Sequence, residues 1–143
     1  VLNNATVILA AEMLGSAREL CERTVEYLKE REQFDAKIGS FQALQHRAAH
    51  MYTELELSQA AVDAALVSFD SGQGDQYALV SAAKALANDC FQLISDEAVQ
   101  MHGGMGVTDE LDIGLFLKRS RVCNRLLGDA HWHRLRYAQR SGF

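Results

Sequence analysis

Apolar residues recur every third or fourth position along most of the chain. Val7, Ala11, Leu14, Cys21, Val25 and Leu28 form the first such row, within residues 2–32. That period predicts one long helix with a single buried face. Arg18 interrupts the row, and Gly15 lies in it, where a missing side chain would let another helix approach. A rod of about thirty residues spans about 45 Å. That is longer than one compact core needs, so it is expected to pack on other chains or domains. Residues 33–40 break the period, with Gly39 marking a turn and Ser40 placed to cap the next helix. Phe41, Leu44, Ala48, Met51, Leu55, Val62, Leu66 and Phe69 give a second stripe that ends near Ser71. A polar connection, 71–75, leads into a third stripe of Tyr77, Val80, Ala87, Phe91, Ile94, Ala98 and Met101. So short a link makes neighbouring helices antiparallel. Asp112 to about Val122 carries Ile113, Phe116 and Leu117 and then Lys118, Arg119 and Arg121, a basic last turn that suits a helix C-terminus. Residues 124–128 fit no one element, and Asp129 can cap a last helix to about Arg140. No segment alternates with a strand period and no internal repeat is visible. The predicted class is all-α: three long antiparallel helices and two shorter ones, a four-helix bundle with an extra C-terminal helix.

The third stripe runs into Gln100–Glu110, QMHGGMGVTDE. Gly103, Gly104 and Gly106 would each cost about 1 kcal/mol inside a helix relative to alanine. A glycine C-cap accounts for one of them. The others fit either a tight corner between helices or a place where a ligand comes close to bare backbone, its N–H groups meeting a phosphate or carboxylate.

Composition narrows the function. With 19 acidic and 14 basic residues the net charge is −5, which disfavours a nucleic-acid surface. The chain has no proline and 48% apolar residues, which suits long helices around one core. No apolar run approaches the roughly 20 residues of a membrane span, and no signal or transit segment is recognisable. Cys21, Cys90 and Cys123 are widely spaced, and Cys21 and Cys90 fall on apolar faces, so buried thiols in a reducing cytoplasm are expected. The chain begins at Val1, within a helical pattern, and reads as a fragment of a longer polypeptide.

Candidate chemistry is sparse. His46 and His50 share a helix face, but HRAAH lacks the glutamate of a zinc-peptidase helix. No glutamate has a histidine three residues on, so a di-iron bundle is excluded, and no metal site is expected. His131 and His133 point to different faces. GGMG follows no strand and is not a dinucleotide fingerprint. What remains is Arg31 and Phe34 in an RxxF segment, Gln42 early in the next helix, and Gln100 before the glycines. Arginine pairs with phosphate, phenylalanine offers a face to a ring, and glutamine both donates and accepts. With the glycine corner, this set suggests a dinucleotide with a pyrophosphate.

Two segments, TVEYLKEREQFDAKIGSFQALQHRAAHM and AVQMHGGMGVTDELDI, resemble the C-terminal helical domain of the acyl-CoA dehydrogenases, and the resemblance extends over essentially all 143 residues. It implies a domain spanning 1–143, with the N-terminal helical and middle β domains of full-length members absent. It also implies a bundle used for dimer or tetramer assembly, FAD bound at subunit contacts, an acyl-CoA substrate, and electron-transfer flavoprotein as electron acceptor. By resemblance, Arg31, Phe34 and Gln42 match FAD-contacting positions. Gln100, Met101, His102, Gly103 and Gly104 match the segment whose backbone approaches a neighbouring subunit's FAD. The family's glutamate base falls at Leu127 in one subgroup and at Ala5 in another, and neither side chain accepts a proton. Asp35 replaces the glycine usual after RxxF, and Glu110 reads as a turn or cap residue. Three expectations follow: a non-catalytic helical subunit assembled with a catalytic partner and holding its FAD, a base supplied by another carboxylate such as Glu12, or a scaffold without activity.

Overall fold

The computed structural model describes residues 1–108 and 110–143; Asp109, within the Gln100–Glu110 stretch, lies outside the described residues. Helix α1 spans Leu2–Glu30, α2 Gln42–Ser71, α3 Gln76–His102, α4 Ile113–Cys123 and α5 Ala130–Arg140. This is the expected all-α bundle of three long and two shorter helices. α3 is its centre and packs against α1, α2, α4 and α5. The sequence makes that possible: Ala83, Ala87, Ser95 and Ala98 are small and buried, which lets neighbouring helices come close, while Phe91 and Ile94 fill the space between them. The α1 row is buried at Val7, Leu14, Cys21 and Leu28. Val25 is only half-buried, and its neighbour Thr24 takes the core position, its hydroxyl donating to the Leu20 carbonyl at 2.7 Å.

Three local expectations are corrected. α1 stops at Glu30 rather than Glu32, because Glu32–Gln33 and Ala36–Lys37 pair as a two-residue antiparallel ladder. The turn between them holds Phe34 at φ 55° and Asp35 at φ 57°, the double positive-φ turn that closes tight hairpins. Asp35 stands where glycine would be easiest, and aspartate is among the residues that tolerate this region best. Ser40 does not cap α2: Phe41 is the N-cap residue, and the Ser40 hydroxyl instead donates to the Lys37 carbonyl at 2.7 Å. Gly15 is exposed and nothing among the described residues comes within 4 Å of its open side, so no described helix uses the gap. Asp129 caps α5 as expected, accepting from Trp132, and Asp75, not singled out beforehand, caps α3 by accepting from Tyr77 and Ala78.

The glycine corner is a 3-10 turn over Gly103–Val107. Gly106 sits against α3: a Cβ there would lie 2.7 Å from the Val99 carbonyl oxygen and 3.0 Å from the His102 Cβ. Backbone cannot yield as a flexible side chain can. Gly106→Ala is therefore expected to cost about 1–3 kcal/mol, the range for overpacking a tight site. Urea unfolding of the variant checks this; an unchanged midpoint would mean that the corner has slack.

Candidate functional site

Two grooves bear on function. The first, of about 490 Å³, lies between the hairpin and the glycine corner and is lined by Arg31, Phe34, Gln100, Met101, His102, Gly103 and Gly104. The end of α1, the hairpin and the end of α3 converge there. Gln42, the first residue of α2, is exposed and does not line it. Phe34 is 85% exposed, held out by the turn with its ring edge-on to Phe41 at 6.3 Å. Arg31 makes no ion pair among the described residues, whereas Arg47, on the same wall, is tied to Glu97 at 2.6 Å. His102 is buried and stacks on Tyr27 at 4.2 Å, with its Nδ1–H donating to the Ala98 carbonyl at 2.7 Å.

The three glycines separate by cause. Gly103 ends α3 at φ 61°, ψ −138°, which a side chain resists. Gly106 is required by the Val99 carbonyl, as described. Gly104 has neither reason: its φ is not positive and its open side meets nothing within 4 Å. Within this chain, residue 104 could be alanine. Its bare backbone faces the groove.

The second groove, of about 880 Å³, runs between the start of α1, the start of α3 and the α4–α5 turn. Asn3, Asn4 and Thr6, which flank Ala5, share it with Leu127 and Gly128. Of the two positions that the resemblance matches to a glutamate, Leu127 lines this groove, whereas Ala5 does not, although its neighbours in the first turn of α1 do. The groove's remaining walls are Val1, Leu2, Phe69, Gln76, Tyr77, Trp132 and Arg136, and no carboxylate among the described residues lines it. Arg136 sits over the Tyr77 and Trp132 rings at 5.1 and 5.5 Å and donates to the Asn3 side chain at 2.9 Å. Glu12 does not line this groove. Its Oε1 accepts from the Arg119 guanidinium through Nε at 2.9 Å and Nη2 at 2.6 Å, which ties the carboxylate to a cation on α4.

Beneath the second groove lies a group that the sequence reading did not single out. Lys84 is fully buried, and its ammonium donates to the Asn88 side-chain oxygen at 2.5 Å, the Cys123 carbonyl at 3.0 Å and the Gly128 carbonyl at 3.2 Å. Burial pushes its pKa down to about 8, opposed by Cys123 and Asp129 nearby. His133 is also fully buried, and its Nε2–H donates to the Leu127 carbonyl at 3.0 Å. Burial holds its pKa down to about 4. The signal was present in the sequence: Lys84 falls in the α3 stripe between Val80 and Ala87, where a charge has no place unless the core is built around it.

The fold and these grooves define an acyl-CoA dehydrogenase C-terminal domain. The family model described as "Acyl-CoA dehydrogenase, C-terminal domain" matches residues 1–142, and the chain belongs to that family. It is 36% identical over 126 residues to acyl-CoA dehydrogenase IpdE2 of Mycolicibacterium smegmatis, covering 88% of this chain and 39% of that protein. Among solved structures, a Tcur3481–Tcur3483 steroid ACAD variant superposes with a TM-score of 0.91 at 31% identity, over 96% of this chain and 38% of that one. The ChsE4–ChsE5 complex of Mycobacterium tuberculosis gives 0.93 at 25% identity, over 98% and 38%. The chain therefore spans well under half the length of these relatives. No helix among the described residues is long and apolar enough to cross a membrane.

Proposed function

We propose that this chain is the C-terminal helical domain of a longer FAD-dependent acyl-CoA dehydrogenase, working in a dimer or tetramer and passing electrons to an electron-transfer flavoprotein. The observation that carries this reading is Gly104, a glycine without an internal cause on the wall of a groove that also presents Arg31, which makes no ion pair among the described residues. FAD fits that wall. Arg31 supplies a fork for a phosphate, Phe34 a ring face, Gln100 a donor and acceptor, and residues 103–104 bare backbone. Met101 and His102 back that wall from the end of α3, and Gln42 would serve only from outside the groove. When bound, FAD supplies the two-electron acceptor for the β-hydride of an acyl-CoA thioester. The three cysteines, free and buried, fit a reducing cytoplasm.

The reaction also needs a base for the α-proton. The second groove, where Leu127 and the first turn of α1 meet, offers amides, hydroxyls, one arginine and apolar walls but, among the described residues, no carboxylate. This chain would then bind and enclose the acyl group while the proton leaves to a residue outside it. That observation favours a second reading, a subunit that holds FAD together with a catalytic partner. Two of the structural relatives carry the names of two proteins each.

Anaerobic titration of the full-length protein with a panel of acyl-CoAs, following the oxidised flavin absorbance, separates the readings. Bleaching by the protein alone means that its own polypeptide carries the base. Bleaching only after the product of a neighbouring gene is added means a paired subunit. A purified protein that retains no flavin under either condition rejects both. Arg31→Ala is expected to weaken FAD retention by about ten-fold or more, the worth of a charge-assisted hydrogen bond of about 1.5–3 kcal/mol. Unchanged flavin content in that variant would remove Arg31 from the site.

A further inference from the structure

We propose that Lys84 is a positioning residue for the second groove: with Asn88 and His133 it locks the turn between α4 and α5 so that the side chain of residue 127 forms part of the wall against a bound acyl group. The inference rests on the reading of that groove as the acyl site. Leu127 sits at φ 59°, a conformation that costs a branched side chain about 1–2 kcal/mol and persists only where the surroundings impose it. Here they do so on three sides. The Leu127 carbonyl is taken by His133, and the Gly128 carbonyl is taken by Lys84 and, at 3.4 Å, by the Asn88 amide. The Cys123 carbonyl, at the end of α4, is taken by Lys84 as well. Gly128 is at φ 103°, and a Cβ on it would meet Trp132 at 2.8 Å and His133 at 3.0 Å, so the turn packs closely on α5 and this position requires glycine. A buried amine, an amide and an imidazole are thus committed to two carbonyls of one turn, together with the end of α4. The side chain they orient stands on the groove.

The arrangement contains its own test. Lys84 bonds three acceptors, which matches the three hydrogens of an ammonium. A neutral amine has two, so loss of the proton leaves one acceptor short. The titratable groups around it are Cys123 from α4, with the Glu12–Arg119 pair beyond it, and Asp129, His133 and Arg136 from the cap and body of α5. No carboxylate hydrogen-bonds to the amine among the described residues.

The experiment uses the full-length, FAD-loaded protein and a 3-thiaacyl-CoA, whose sulfur in place of the β-carbon prevents hydride loss. Affinity is read from the shift in the flavin absorbance between about pH 6.5 and pH 9.5, spanning the proton loss of a lysine depressed by burial. Wild type is expected to bind evenly up to about pH 7.5 and then about five-fold more weakly by pH 9.5, the equilibrium equivalent of one ordinary hydrogen bond. Lys84→Met is expected to bind about ten-fold more weakly at neutral pH, with a flat profile and unchanged flavin content. Asn88→Ala leaves Lys84 two acceptors, matched by two hydrogens, so its profile should also flatten; it decides the matter if Lys84→Met does not fold. Binding that keeps wild-type strength in Lys84→Met, or an alkaline decline that survives in Asn88→Ala, overturns the proposal and leaves the acyl site standing. Absence of any flavin response in wild type overturns the acyl-site reading and the proposal with it.

Discussion

Gly104→Val in the full-length protein is expected to give a folded protein that purifies without its flavin. The two halves of that expectation have separate causes. The fold should survive because a Cβ at residue 104 meets nothing within 4 Å and the backbone there is not left-handed. A branched side chain in a short 3-10 turn costs a few tenths of a kcal/mol by propensity, too little to unfold a domain whose α1 and α3 carry most of the core. The cofactor should be lost because the added methyls would occupy the space that bare backbone leaves to a ligand. Flavin absorbance per mole of protein measures one half, and helical circular dichroism with thermal midpoint the other. Gly106→Ala is the control with the opposite signature, destabilised through the Val99 carbonyl. A flavin-replete Gly104→Val would place the cofactor elsewhere. A Gly104→Val that fails to fold would mean that the corner packs more tightly than its geometry indicates.

The helices were legible because their information is local. Val7, Leu14, Cys21 and Leu28 recur at the spacing of one face, and that face is buried. Asp129 announced its cap by residue type and position. What was not legible depended on backbone conformation or on distant partners. The hairpin after α1 turns on Phe34 and Asp35, both left-handed without a glycine to signal it. Ser40 has the chemistry of a cap, but the turn ahead of it gives its hydroxyl to Lys37. Glu12 looked available because its partner Arg119 lies 107 residues away. The first groove was assembled from the RxxF segment and the glycines as residue types, and Gln42, the exposed first residue of α2, did not join it. Of the second groove, only Leu127 was visible, and that through a resemblance. That it faces the first turn of α1 across one space, and that a buried lysine lies against its turn, required the bundle to be closed first.

The same turn predicts a loss of stability in acid. His133 has no exposed surface, its Nε2–H is given to the Leu127 carbonyl, and its Nδ1 has no partner among the described residues. A second proton would go on Nδ1 and place a charge in the core, near Lys84 and Arg136, which is why burial first and those two cations next hold the pKa down to about 4 against an ordinary 6.5. A depressed value means that the unfolded chain binds the proton more readily than the folded one. The contribution is therefore complete above about pH 6.5 and is lost as the pH falls toward 4. The shift corresponds to about 3 kcal/mol over that window. Urea unfolding of wild type and His133→Gln at about pH 7, 5.5 and 4.5 isolates it from the carboxylates that titrate nearby. Glutamine can keep the bond to Leu127 but cannot ionise, so the stability gap between the two proteins should narrow by about 2 kcal/mol or more from neutral to acid pH. A gap that stays constant would mean that His133 accepts its proton in place. The turn carrying Leu127 would then tolerate a buried charge beside Lys84, and the lock on residue 127 would be looser than its hydrogen bonds imply.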